Sequence, residues 1–226
     1  MLNDFFSLFY PNNCHCCDRV LNKQEKAICV ICISELPRTN YYQDFENPIA
    51  KLFWGRIDLL YGISAFHFNK KGKIQHLMHE LKYNKATIVG EVLGVELGTS
   101  IDKANFKVPI DVVVTVPLHS KKLYQRGYNQ SDFIAKGVGQ VLHKPILTNS
   151  IERIDFTDSQ TKKSRYERWE NVEDIFQVKE PQSFEGKHVL VVDDVITTGA
   201  TLESCCSVLL KIPKTKVSVA AVASGK

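Results

Sequence analysis

Two groups of residues in this 226-residue chain have the types and spacing to do chemistry. The first is VLVVDDVITTGAT, residues 189–201. Its apolar run reads as a buried strand that delivers two adjacent carboxylates, Asp193 and Asp194, to a sheet edge, and a hydroxyl-rich turn follows before a helix begins. In that turn Thr197, Thr198, Gly199, Ala200 and Thr201 can wrap backbone N–H groups and hydroxyls around a phosphate, and the helix N-terminus adds its partial positive charge. Gly199 permits a close approach or a positive φ. The carboxylates cannot bind that phosphate, but they can accept hydrogen bonds from a neighbouring diol or hold Mg2+ through water. A sugar phosphate suits both halves. Neither G-x-x-x-x-G-K-[ST] nor G-x-G-x-x-G is present, so the other common phosphate loops fit worse. An acidic pocket of the response-regulator kind would leave the threonine turn without a purpose.

The second group is cysteine. Five of the seven lie in the first 32 residues, and Cys14/Cys17 and Cys29/Cys32 are two pairs with a two-residue gap. In such a turn both thiolates can face one ion, and two turns give the four-sulfur shell of a structural Zn2+. Binding of that kind contributes on the order of 10 kcal/mol to a segment too short to bury its own core. His15 and Cys16 fall between the first pair, and either can substitute as a ligand; the gap favours Cys14 with Cys17. Buried free thiols are the bland alternative, and Cys205 and Cys206, in a helical pattern, read as packing residues.

The elements that must position these groups follow from periodicity. Residues 57–68 alternate and read as strand. Ile74, Leu77, Met78 and Leu81 form the apolar stripe of an amphipathic helix, and Ile88, Val89, Val92, Leu93 and Leu97 mark a second. Residues 111–116 are a β-branched run closed by Pro117, and 131–142 are helical in spacing. Residues 189–192 read as a strand covered on both faces, 200–210 as helix and 217–222 as a last strand. Strand alternating with helix predicts an α/β fold with a mostly parallel sheet, helices on both sides and ligand sites beyond the carboxyl ends of the strands. The division expected is a zinc-ribbon-like module at 1–40, a linker at 41–56 and the α/β domain at 57–226.

Composition narrows the classes further. With 44% hydrophobic and 24% charged residues the chain should fold, and disorder or a fibrous repeat is excluded. No apolar run approaches the roughly 20 residues of a membrane span, and the apolar start lacks the basic flank of a secretory signal, so the expectation is a cytoplasmic protein without membrane insertion. The net charge of +4 is modest, and its distribution matters more. Residues 1–40 carry four basic and four acidic side chains, which offers little grip on nucleic acid. Residues 67–85 are +4, and 119–130 and 161–168 are +3 each, so positive charge gathers around the expected anion site, although a solvated basic face is the ordinary reading of any one cluster.

With these residues in view, the 189–201 stretch resembles the phosphoribosyl pyrophosphate (PRPP) motif of type I phosphoribosyltransferases. Further motifs resemble the ComF competence-protein family: Cys14/Cys17 with Cys29/Cys32, LKY at 81–83, VPLH at 116–119, RGYNQ at 126–130, and Gln160 with Arg168 and Asn171. They run through nearly the whole chain in order. The resemblance implies that Asp193 and Asp194 contact the ribose hydroxyls and Thr197 to Thr201 the 5′-phosphate. It makes Pro117, Leu118 and His119 part of a pyrophosphate loop, with Lys82, Arg126, Asn129 and Gln130 close by. Residues 160–168 would belong to a mobile flap. Lys121 and Lys122 stand where the family pattern leads one to expect arginines, and lysine lacks the bidentate fork.

Two functions from different classes follow. One is an enzyme that binds Mg2+-PRPP and transfers the phosphoribosyl group to a nucleophile, with Asp193, Asp194 and Arg126 at the reacting centre. The other is a non-catalytic competence module that keeps the phosphate loop but follows single-stranded DNA or a helicase partner with its basic clusters. No residue identifies the acceptor, and oligomeric state leaves no mark in the sequence.

Overall fold

The computed structural model describes residues 12–154 and 175–225. Five strands, β1 (Gly62–His67), β2 (Val112–Thr115), β3 (Ile146–Leu147), β6 (His188–Ile196) and β7 (Lys216–Ser224), form one sheet in the order β1-β7-β6-β2-β3, and every neighbouring pair is parallel. The mostly parallel α/β sheet expected from the sequence is therefore present. Two three-residue strands, β4 (Ile151–Arg153) and β5 (Phe176–Val178), pair antiparallel beside it.

Helices cover both faces, and the alternation of side chains along β6 shows why its apolar run is continuous. Leu190 and Val192 join the core beneath α3 (Lys73–Tyr83), α4 (Thr87–Ala104) and α6 (Gln130–Leu142). Val189 and Val191 join the opposite core, which α2 (Pro48–Phe53), α7 (Ala200–Leu210) and the β4–β5 pair close. A strand buried on both sides has no polar face to spare until it emerges at Asp193.

Chain order fixes where a ligand can sit. From β2 the chain proceeds outward to β3, whereas from β6 it proceeds the other way to β7, so the order reverses between β2 and β6. Helix α6, after β2, and helix α7, after β6, lie on opposite faces and leave a crevice at the shared carboxyl edge. Thr115 pairs with Val192 there, which places the 116–119 turn beside Asp193 and Asp194.

Helix α6 reaches that edge by pressing closely on α4. A Cβ on Gly94 would run into the Ile134 carbonyl, and one on Gly137 into the carbonyl of Glu91. Any side chain at either position would force these helices apart and shift the N-terminal turn of α6.

Two local expectations are refined and one element is added. Residues 57–68 are strand only at Gly62–His67. The stretch read as linker, 41–56, contains a 3-10 turn at Tyr41–Gln43 and α2, whose Ile49 and Phe53 are buried. The short helix α5 (Ser120–Arg126) has no buried residue and so gave no apolar stripe. At the N-terminal end, Cys14, Ala27, Ile28, Cys29, Cys32 and Leu36, with α1 (Val30–Ser34) among them, belong to the same core as Ile74 and Leu77. Among the described residues, no helix is long and apolar enough to cross a membrane.

Candidate functional site

A polar cleft of about 210 Å3 opens at the carboxyl edge of β2 and β6. Asp193, Asp194 and Thr201 line one side, and Pro117, Leu118 and His119 line the other with Lys122, Arg126 and Gln130. Lys82 and Arg153 complete the wall. Four cations, Lys82, Lys122, Arg126 and Arg153, thus surround two carboxylates, a balance that suits a ligand carrying both hydroxyls and several negative charges.

The two carboxylates are held differently. Asp194 is buried, and its Oδ2 accepts from Gln130 Nε2 at 3.1 Å and pairs with Lys82 Nζ at 2.5 Å, while Oδ1 accepts the Val195 N–H at 2.6 Å. Asp193 Oδ1 accepts from the Ser131 hydroxyl at 3.2 Å and from the Asp194 N–H at 2.8 Å. Burial, reinforced by the neighbouring Asp194 charge, pushes the Asp193 carboxyl up to about 7.

Around these residues a second set fixes the loops. Asp132 Oδ1 accepts from Thr115 Oγ1 at 2.7 Å and from Asn129 Nδ2 at 3.3 Å, and Asn129 Nδ2 also donates to the Val116 carbonyl at 3.0 Å. The end of β2 is thereby tied to the first turn of α6. Asn129 Oδ1 meanwhile accepts from the Ser131 N–H as the helix cap, so Asn129 supports the 116–119 turn from behind instead of lining the cleft. Arg126 Nη1 donates to Gln130 Oε1 at 2.7 Å and its guanidinium lies 5.4 Å from the Tyr83 ring centroid. The Tyr128 hydroxyl donates to the Leu81 carbonyl, which joins the RGYNQ turn to the end of α3 beside Lys82. His119 caps α5, its Nδ1 accepting the Lys121 N–H at 3.2 Å.

On the other wall, Gly199 adopts φ 76° immediately before α7, and a Cβ there would lie 3.0 Å from Leu52 and Phe53. The left-handed conformation and the close packing both require glycine. Thr197, Thr198 and Ala200 are exposed on this turn next to Thr201. The first N–H groups of α7 have no acceptor within the helix, as at any helix start.

The cysteines meet as well. The Sγ atoms of Cys14, Cys17, Cys29 and Cys32 all lie within 4.8 Å of one another, with Cys17 and Cys29 at 3.8 Å. A tetrahedral shell with Zn–S bonds of about 2.3 Å has S···S edges near 3.8 Å. Cys14 Sγ accepts the N–H of Cys29 at 3.2 Å and of Cys16 at 3.4 Å. Burial opposes ionisation of Cys14, yet these backbone donors outweigh it and bring the thiol down to about 7. Soft thiol donors, tetrahedral spacing and N–H groups aimed at sulfur form a donor set that fits zinc. His15 instead turns its Nδ1 to Glu80, 3.3 Å away, and Cys16 packs partly buried against the core.

Sequence reasoning placed most of the cleft but missed Arg153, Ser131, Asp132 and Thr115. The N-x-x-D spacing of Asn129 and Asp132 is a helix-start signal that points to two of these contacts. Arg153 stands in a three-residue strand with no local signature. Gln160, Arg168 and Asn171, with the rest of the expected flap, lie outside the described residues.

Residues 134–226 match the phosphoribosyl transferase domain. The chain is 30% identical over 139 residues to the DNA utilization protein YhgH of Escherichia coli, covering 60% of each. It is 32% identical over 114 residues to competence protein F of Haemophilus influenzae, covering 50% of this chain and 49% of that protein. To competence protein ComFC of Bacillus subtilis it is 34% identical over 100 residues, covering 44% of this chain and 38% of that one. The matched region thus spans 60% or less of the length of these relatives. Among solved structures, the glutamine PRPP amidotransferase of B. subtilis complexed with ADP and GMP superposes with TM-score 0.45 at 21% identity, over 64% of this chain and 30% of that one. The sheet, the crevice and the matched domain define a phosphoribosyltransferase-like α/β protein. With its paired cysteines and RGYNQ turn, the chain is similar to proteins named for competence and DNA utilization.

The raised Asp193 has a consequence for stability. In the unfolded chain an aspartate ionises near 3.9, whereas the folded protein retains the proton to about 7. Between these values the folded state binds more protons, so this residue's contribution to stability is lost as pH rises from about 4 to about 7 and is level above. Asp193→Asn removes the dependence. The melting-temperature difference between Asp193→Asn and the parent should widen across that range and stay constant above about pH 8. A difference independent of pH would contradict the assignment.

Proposed function

We propose that the chain binds Mg2+-PRPP in this cleft and transfers its phosphoribosyl group to a nucleophile. The observation that carries the reading is the juxtaposition of Asp193, Asp194 and Thr201, the last residue of the Thr197–Thr201 turn, on one wall with the 116–119 turn on the other and four cations around them; Thr197, Thr198, Gly199 and Ala200 lie outside the cleft lining. In this reading Asp193 and Asp194 position the ribose diol, and Thr197, Thr198, Gly199, Ala200 and Thr201 receive the 5′-phosphate. Pro117, Leu118 and His119 border the pyrophosphate, with Lys82, Arg126 and Gln130 reaching it from the side and Asn129 holding their turn.

The reaction breaks the bond between the anomeric carbon and pyrophosphate oxygen, and the electron pair leaves with pyrophosphate. The nucleophile forms the new bond and gives up its proton. Positive charge develops on the sugar, so the protein assists by orienting the diol and stabilising the leaving group, not by supplying a covalent nucleophile. Arg126 is held in place for this by Gln130 and the Tyr83 ring. Lys82 pairs with Asp194 at the cleft. Mg2+ favours oxygen ligands, which the two carboxylates and pyrophosphate provide; when bound it neutralises the departing charge.

A second reading rests on a separate observation. Tyr83 is 64% and Tyr124 92% exposed beside Arg126, Lys121 and Lys122, a basic and aromatic surface at the cleft mouth. Such a surface suits stacking of single-stranded DNA, and the names of the relatives, DNA utilization and competence proteins, support a role in handling incoming DNA, with or without a helicase partner. The two readings are compatible if the nucleic acid carries the acceptor.

Three measurements test these statements. Isothermal titration with Mg2+-PRPP should give binding to the parent chain and a loss of at least about tenfold in the Asp193→Asn/Asp194→Asn double variant; equal heats from both would remove the cleft as the site. Binding of a single-stranded oligonucleotide should weaken steeply with salt, and Tyr124→Ala should lower it by about tenfold or more, since stacking contributes roughly 1–3 kcal/mol per base. Metal analysis should find one zinc per chain, lost in Cys29→Ser but retained in Cys16→Ser and His15→Ala. Loss in either of the latter would reassign a ligand.

A further inference from the structure

A turn that receives an anion must keep its carbonyls turned away, because a peptide oxygen carries the wrong partial charge. One side chain in this structure grips such a carbonyl. Arg56 Nη1 donates to the Thr198 carbonyl at 3.1 Å and to the Leu52 carbonyl at 3.3 Å, while Nη2 pairs with Glu203 in the first turn of α7. The guanidinium therefore ties together the phosphate turn, the end of α2 and the start of α7. Arg56 does not line the cleft. It lies on a separate groove with Phe53 and Trp54, and Phe53 packs under Gly199. The contact is thus made from behind the turn.

The geometry points to Arg56 as a positioning residue for the phosphate turn. By fixing the Thr198 carbonyl on the outer side it holds the following N–H groups toward the cleft, and so sets affinity for the 5′-phosphate end of a sugar phosphate without touching it. This rests on the reading of Thr197–Thr201 as the phosphate-binding turn. Arginine is suited to the task because one planar group can bridge two carbonyls and a carboxylate in fixed directions. Arg56→Ala also bares the Glu203 carboxylate in the first turn of α7, so the weakening is read against Arg56→Ala/Glu203→Gln, in which that charge is gone and the lost geometry alone must still weaken ribose 5-phosphate. An exposed ion pair of this kind adds little to global stability, which lets positioning be separated from folding.

The test uses the full chain with Mg2+ and two probes, ribose 5-phosphate, which needs the turn, and pyrophosphate, which needs only the opposite wall. Arg56→Ala should weaken ribose 5-phosphate by about tenfold or more and leave pyrophosphate within about twofold. Arg56→Lys should recover part of the loss, since an ammonium can still reach one carbonyl. Equal weakening of both probes would overturn the proposal by indicating a general loss of field or fold. Unchanged ribose 5-phosphate binding in Arg56→Ala, while Thr201→Val still weakens it, would overturn it as well. If Thr201→Val also leaves ribose 5-phosphate binding intact, the phosphate reading of the turn itself fails, a result distinct from failure of the role given to Arg56.

Discussion

Two adjacent carboxylates at the end of a strand buried on both faces repel each other and are partly cut off from water. A structure that keeps them must surround them with donors, and the arrangement here can be traced to that requirement. Lys82 from α3 and Gln130 from α6 serve Asp194; Ser131 serves Asp193; the strand's own N–H groups at Asp194 and Val195 serve one oxygen of each. Two helices distant in sequence must therefore converge on one strand end. An unpaired buried charge costs several kcal/mol, so a misplacement of α3 or α6 is felt directly at Asp193 and Asp194. The glycines that let α6 settle on α4 are part of the same constraint, because they set how far the first turn of α6 projects toward β6.

Much of this was legible in the sequence because the relevant signals are local. The run from Val189 through Val192 announces a two-sided strand by its uninterrupted apolar character, and the threonines with Gly199 announce the turn. Paired cysteines mark their own geometry, and the four sulfurs do converge. The stripes at Ile74 and Leu77 and at Phe133 and Ile134 mark α3 and α6. What stayed hidden lacks periodicity or depends on distant partners. Helix α5 has no apolar stripe, its Leu123 and Tyr124 both being exposed, and buries nothing. Strands β4 and β5 are three residues each, too short to alternate visibly, yet β4 carries Arg153 into the cleft. Asp132 looks like an ordinary first-turn acid until Thr115 and Asn129 are seen to share it. Arg56 has no local signal, since its partners Thr198 and Glu203 come from the far end of the chain.

The N-terminal cysteine module is not an appendage in energetic terms. Its buried residues continue the core that contains Ile74, Leu77 and Leu81, and polar contacts repeat the attachment: His15 with Glu80, Lys73 with Glu35, Arg38 with Glu96. Helix α3 runs between the two chemistries. At its first residue, Lys73 Nζ lies 3.9 Å from Cys32 Sγ; near its last, Lys82 pairs with Asp194. Eleven residues of helix span about 16 Å at 1.5 Å per residue. Over that length a helix behaves as a stiff rod, so whatever holds the four sulfurs together also helps to set the position of Lys82. The apolar stripe of α3 is shared accordingly: Ile74 and Leu77 pack in one core with Cys32 and Leu36, and Leu81 in that same core approaches the RGYNQ turn through Tyr128. A module that served only as a handle for a partner would need no such continuity. The arrangement instead makes the sulfur cluster a foundation for one wall of the cleft, and loosening it would be expressed first at the cation that faces Asp194.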